Sequence, residues 1–135
     1  KKIYQKSKIY GSDISYKSIQ IAKQKKIYDN LEKYNFENKY IYKIKFDLVS
    51  IIGSMTYCKN FDKLFENVKF YLKKKGIFIF SHRLDLWLNQ DFDKILQKFS
   101  KDFKILNISR PYNYLPLNKD FKNKIKIRIV LLQKY

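Results

Sequence analysis

Two short apolar runs, separated by a segment of helical period, restrict the fold of this chain more than any other feature. Phe46-Asp47-Leu48-Val49-Ser50-Ile51-Ile52 is nearly continuous and is stopped by Gly53-Ser54; Ile77-Phe78-Ile79-Phe80-Ser81 is the second run. Runs of this length read as strands buried on both faces, the pattern of a parallel sheet. Between them Phe61, Leu64, Phe65, Val68 and Leu72 recur at helical spacing behind Asn60, a good N-cap. Lys73-Lys74-Lys75-Gly76 closes the segment. Its cations suit the negative end of the helix dipole, and Gly76 suits a left-handed closing residue. Strand, helix and strand in this order form a crossover unit.

The remaining punctuation extends the alternation. Lys8 to Ser15 reads as a short strand ending in a turn, and Ser15 caps a helix from about Tyr16 to Lys26 with Ile19 and Ala22 on one face. Leu31 to Phe36 reads as a short strand. Phe92, Ile95, Leu96 and Phe99 mark a helix capped by Asp91, followed by a strand from Phe103 to Ile108. Lys124 to Leu131 alternates at period two, as a half-buried edge strand does. The last two strands have no helix between them and require an antiparallel hairpin. The expected fold is α/β: a doubly wound sheet, mostly parallel, with a C-terminal antiparallel hairpin, in one domain spanning residues 1–135.

Composition narrows the function classes. Cys58 is the single cysteine and His82 the single histidine, which excludes a disulfide framework, a thiolate metal cluster and a multi-histidine site. No apolar run approaches the roughly 18 residues of a membrane span, and no signal peptide opens the sequence, so a cytoplasmic setting without membrane partners is expected. The formal charge of +18 permits nucleic-acid binding by counterion release. However, only three of the 30 basic residues are arginine, and the lysines spread along the whole chain. Lys, Ile, Asn, Tyr and Phe, all encoded by A/T-rich codons, supply more than half the residues. Compositional drift therefore competes with a dedicated nucleic-acid surface.

Three local sequences resemble class I S-adenosylmethionine (SAM)-dependent methyltransferases, whose fold is Rossmann-like. Tyr10-Gly11-Ser12-Asp13-Ile14-Ser15, with Ile19, Ala22, Lys23 and Ile27-Tyr28-Asp29 behind it, is similar to that family's second strand with its acidic end and following helix. Phe46-Asp47-Leu48-Val49 running into Gly53-Ser54-Met55-Thr56-Tyr57 is similar to the fourth strand and its loop. Leu72 to Ser81 is similar to the helix end, glycine and fifth strand. Within the family, Ile27-Tyr28-Asp29 and Tyr114-Leu115-Pro116 resemble the small methyltransferase-like proteins related to the Williams–Beuren region product. The first strand and helix of the fold, with their glycine-rich turn, are absent: Gly11, Gly53 and Gly76 lie too far apart to replace that turn. In the family's sheet that strand is central, so its loss leaves unpaired inner edges. The chain also begins at Lys1 rather than at methionine. A segment of a longer protein is expected.

The resemblance implies SAM as cofactor and a small-molecule or macromolecular methyl acceptor as partner. Asp13, at the carboxyl end of a strand, can accept both hydroxyl protons of a ribose; the competing reading is a first-turn acid favouring the helix dipole. Asp13 is the only acid among the first 28 residues, which hold eight lysines. Ile14 lies against adenine or in the core. The resemblance places the adenine-amino contact at Asn35, where the family usually has Asp, with Phe36 beside it; Asn35 also reads as an ordinary turn residue. Gly53 and Ser54 follow a strand's carboxyl end and complete the cofactor set. Met55, Tyr57 and Arg83 fall at the same end and read as substrate contacts. Tyr112 and Tyr114 sit in the Ser109–Phe121 connection, which is a substrate lid or a loop packed by its own aromatics. His82 is the candidate general base by position, against a structural role. Asp47, at the opposite strand end, reads as structural.

Two other functions compete with the enzyme. One is a non-catalytic methyltransferase-like module binding RNA through a basic surface, which a one-sided cluster of Lys and Arg would favour. The other is a nucleotide-dependent oxidoreductase, since Asp13 also suits an NAD ribose; the terminal hairpin opposes it.

Overall fold

A computed structural model describes residues 7–135, which fall into two compact units, residues 7–38 and Lys39–Tyr135. The first unit contains β1 (Tyr10–Asp13), α1 (Tyr16–Gln24) and β2 (Asn30–Lys33). The two strands pair in parallel, Tyr10 opposite Asn30 through Asp13 opposite Lys33. Ser15 is the N-cap of α1 as expected: its backbone is extended and its side chain accepts from Ser18 N at 3.3 Å. Ile19, 3% exposed, anchors the helix. Gly11 is needed for close packing, because a Cβ there would lie 2.8 Å from Leu31 Cδ2 and 2.9 Å from Tyr28 Cε1. The second strand ends at Lys33, three residues short of the expected Phe36, because Asn35 turns the chain instead.

The second unit holds β3 (Phe46–Ile51), a 3₁₀ turn at Met55–Tyr57, α2 (Phe61–Tyr71) and β4 (Leu72–Arg83). It continues with α3 (Leu84–Asn89), α4 (Phe92–Lys98), β5 (Phe103–Ile108), β6 (Tyr112–Asn113) and β7 (Lys126–Lys134). The sheet order is β3-β4-β7-β5, with β6 also paired to β7. β3 and β4 are parallel, while β4, β5 and β6 each meet β7 antiparallel. Hence β3, β4, β5 and β6 run one way and only β7 opposes them. The expected edge strand is therefore an interior one: β7 inserts between β4 and β5, and its period-two pattern reflects two differently covered faces rather than an exposed edge. Conversely, among the described residues β3 pairs with β4 alone, and Leu48 is 56% and Ile52 54% exposed where burial on both faces was expected.

α2 begins where Asn60 Oδ1 accepts from Lys63 N at 3.0 Å. Its apolar stripe buries Leu64, Phe65 and Val68. Phe65 stacks on Phe99 with centroids 4.3 Å apart and meets Phe78, Phe80 and Phe103 edge-on. The helix stops at Tyr71, and Leu72 is already extended. Lys75, not Gly76, takes the left-handed conformation, with φ 64°. Gly76 serves another need: a Cβ there would sit 2.9 Å from the Lys73 carbonyl oxygen. Asp91 also differs from expectation. It precedes α4 at φ 50° without a side-chain cap bond, and its carboxylate pairs with Lys94 instead. Phe92 and Trp87, both buried, bring α4 and α3 onto the face of β4 that carries Phe80 and His82.

Candidate functional site

In the first unit, the carboxyl ends of β1 and β2 lie side by side, and Tyr34 N donates to Asp13 O at 2.9 Å across them. Asp13 Oδ1 accepts from Ser15 N at 2.7 Å, which fixes the carboxylate at the start of α1. Among the described residues its Oδ2 has no partner, so one oxygen remains for ribose hydroxyls. Ile14 is 62% exposed, which removes the core reading and leaves an apolar surface beside Asp13. Asn35 follows β2, and its Oδ1 accepts from Glu37 N at 2.9 Å, an Asx turn. The turn role of Asn35 is thus real, and the second lone pair of the same oxygen stays available to an amino group. Phe36, half-buried, comes next.

In the second unit, a cleft of about 170 Å³ opens at the carboxyl ends of β3 and β4. Gly53, Thr56 and Tyr57 supply the side that follows β3, and Ser81 and Arg83 the end of β4. Tyr114, Phe121, Ile125 and Ile127 supply an aromatic and aliphatic wall. Gly53 has φ +80°, and its N–H donates to Ser81 Oγ at 2.9 Å. A Cβ on Gly53 would lie 3.3 Å from the Tyr114 hydroxyl. Tyr114 is held by its N–H to Ile125 O at 2.8 Å and by edge contact with Phe121. The connection therefore packs on its own aromatics and also walls the cleft.

Arg83 donates twice to Asp85, Nε to Oδ1 at 3.0 Å and Nη2 to Oδ2 at 2.6 Å. Those hydrogen bonds hold the guanidinium above its ordinary pKa and the Asp85 carboxyl below its own. Side chains 37% and 55% exposed make this pair worth about 0.2–1 kcal/mol, so a ligand can compete for Arg83.

Three candidate residues fall elsewhere. His82 is 1% exposed and lies on the other face of β4, against Phe92 at 4.6 Å between centroids and near Trp87 and Phe61. Its Nε2 donates to Gln90 Oε1 at 2.9 Å, and burial pushes its pKa below the ordinary histidine value. Its Nδ1 and the Nε of Arg128, its cross-strand neighbour, are buried without partners among the described residues. Met55, the first residue of the 3₁₀ turn, is 1% exposed and is not among the residues that line the cleft. Tyr112 pairs with Ile127 on β6, 41% exposed and outside the cleft lining; partial desolvation pushes its phenol above the usual value. Ser54, half-buried, opens the 3₁₀ turn without a side-chain cap bond.

A family model described as a methyltransferase domain matches residues 1–126. The chain belongs to the class I SAM-dependent methyltransferases. No curated protein matches it. Solved methyltransferases share the α/β, Rossmann-like fold. The N-methyltransferase NodS from Bradyrhizobium japonicum in complex with S-adenosyl-L-homocysteine is 10% identical at a TM-score of 0.71, over 94% of this chain and 66% of that one. A SAM-dependent methyltransferase from Clostridium acetobutylicum is 17% identical, TM-score 0.71, over 94% and 75%. A TehB-like SAM-dependent methyltransferase from Corynebacterium glutamicum is 16% identical, TM-score 0.70, over 95% and 68%.

SAM is the methyltransferase cofactor, and among the described residues Asp13 keeps one carboxylate oxygen without a hydrogen bond beside the exposed Ile14, a chemistry compatible with a ribose. Among the described residues of this methyltransferase no group of His, Cys, Asp and Glu is arranged to hold a metal ion, and no helix is long and apolar enough to cross a membrane. Ser81, Thr56 and Ile127 are cleft residues that sequence reasoning missed. The signal was present for two of them. Alternation along Ile77–Arg83 puts Ser81 and Arg83 on one face and His82 on the other, and Ile127 follows from pairing that face with the last strand.

Proposed function

We propose that this chain works within a SAM-dependent methyltransferase in which Asp13 holds the cofactor ribose, Ile14 and Phe36 flank adenine, Asn35 accepts from its amino group, and the Arg83 cleft takes the methyl acceptor. The observation that carries this reading is Asp13: a carboxylate at the end of a parallel strand with one oxygen tied to Ser15 N and the other left over. Bound SAM supplies a methyl group already activated by its sulfonium. The protein's task is then to align the nucleophile, and the burial of His82 behind β4 does not count against transfer. Gly53 and Ser54 belong to the cofactor set by their position after β3. The lone, buried Cys58 suits a reducing, cytoplasmic setting.

We further infer that the chain is one part of a longer domain. Among the described residues β3 has a strand partner on one side, β4, and Leu48 and Ile52 are exposed, which fits a further strand along that edge.

Calorimetric titration of SAM into this chain and into a form extended upstream tests both statements. Binding by the extended form, weakened at least tenfold by Asp13→Ala, is the expected result. If neither form binds SAM, the methyltransferase reading fails for this protein and RNA binding by its basic surface takes its place.

A further inference from the structure

The cleft at the ends of β3 and β4 has an uneven chemistry. Its polar lining consists of hydroxyls from Thr56, Tyr57, Ser81 and Tyr114 and one guanidinium, Arg83. Among the described residues no Asp, Glu, His or Lys side chain lines it. Alcohols, phenols and a guanidinium are poor proton acceptors at neutral pH. The histidine that follows Ser81 is turned to the opposite face and bonded to Gln90. Among the described residues the lining therefore offers one cation, shared with Asp85, and no carboxylate, imidazole or amine to take a proton from an acceptor.

We propose that the acceptor enters this cleft already as an oxyanion, namely the carboxylate of a small apolar acid held by Arg83, and that the product is its methyl ester. The proposal rests on the methyltransferase reading above. A carboxylate oxygen forms the new C–O bond as the C–S bond to the methyl group breaks and its electron pair stays on sulfur. The anion becomes a neutral ester, the sulfonium becomes a thioether, and no proton is released. An alcohol or ammonium acceptor would release one, with no lining group to receive it. The apolar wall of Tyr114, Phe121, Ile125 and Ile127 suits the body of the acid. At about 170 Å³ the cleft is smaller than the roughly 300–1,000 Å³ of sites for drug-sized molecules, which points to an acid of one ring or a short chain. Asp85 occupies the guanidinium in the free protein and is the group a substrate carboxylate displaces.

The test uses 4-methylbenzoate and the equally shaped, uncharged 4-methylbenzamide, titrated into the upstream-extended form with and without S-adenosylhomocysteine, which is itself titrated in parallel. The benzoate is expected to bind at least tenfold tighter than the amide. Arg83→Gln should abolish that preference by weakening benzoate binding at least tenfold, while Asp85→Asn, which frees the guanidinium, should tighten benzoate binding three- to tenfold. A merely structural Arg83–Asp85 pair would weaken binding in both variants, and that result overturns the proposal. Binding of S-adenosylhomocysteine with no preference for the acid also overturns it while sparing the methyltransferase reading. Failure of both ligands removes the two together.

Discussion

Ser81 Oγ receives the N–H of Gly53 at 2.9 Å, so the side chain of one strand end fixes the loop that leaves its neighbour. Gly53 carries a positive φ, and a Cβ at that position would lie 3.3 Å from the Tyr114 hydroxyl.

Ser81→Ala should therefore act on the loop rather than on the sheet. Removing the acceptor costs about 0.5–1.5 kcal/mol, because Gly53 is exposed and water replaces the lost partner. Urea denaturation would read that cost, and amide exchange at Gly53 should accelerate while the amides of Phe78 and Phe80 keep their protection. Equal acceleration at all three would show that Ser81 supports the strand instead.

Stability should fall with pH through His82. Burial, the largest effect, lowers its pKa in the fold, outweighing the hydrogen bond to Gln90 and the attraction of Asp85, both of which raise it; Arg83 adds to the lowering. The unfolded chain therefore binds a proton that the fold refuses. Stability from this residue is complete above the ordinary value of 6.5 and declines as pH drops below it towards the folded value. The slope is at most about 1.4 kcal/mol per pH unit. Denaturation midpoints measured from pH 7.5 to 5 should show it, and His82→Gln should flatten the curve across that window.

The end of α2 gives a pair of opposite signs. Lys75 is left-handed at φ 64°, so Lys75→Gly should stabilise by about 0.5–1 kcal/mol, the relief of strain exceeding the added freedom of the unfolded chain. Gly76→Ala should destabilise by about 1–3 kcal/mol, because its Cβ meets a backbone oxygen that has nowhere to move. Thermal denaturation of the two variants checks both signs.

The lysine run and Gly76 show where the sequence was legible and where it was not. Composition locates the helix end within a few residues, but the residue that turns left-handed depends on how Leu72 re-enters the sheet, with a register slip between Phe46 and Leu48. Asp13, Ser15 and Asn60 were readable because caps and strand ends act through their immediate neighbours. The place of β7 was not: period-two alternation reports two unlike faces and is silent about which strands flank it. His82 was misleading for a related reason, since its position after a buried strand fixes its height in the sheet but not its side. α3 carries Arg83 at its cap position and spans six residues, too short for a periodic signal and without a Ser, Thr, Asp or Asn to announce it.

The placement of β7 also sets a schedule for folding. Residues 126–134 join β4, some fifty positions earlier, and β5, so the two strands bracketing that slot are made before the piece that fills it. On the ribosome β4 and β5 must wait with facing edges unsatisfied, a period when chaperones have the most to bind. Such long-range closure makes folding slow compared with its helices, and a nonsense codon between Ser109 and Lys126 would leave a permanently adhesive sheet rather than a shortened enzyme.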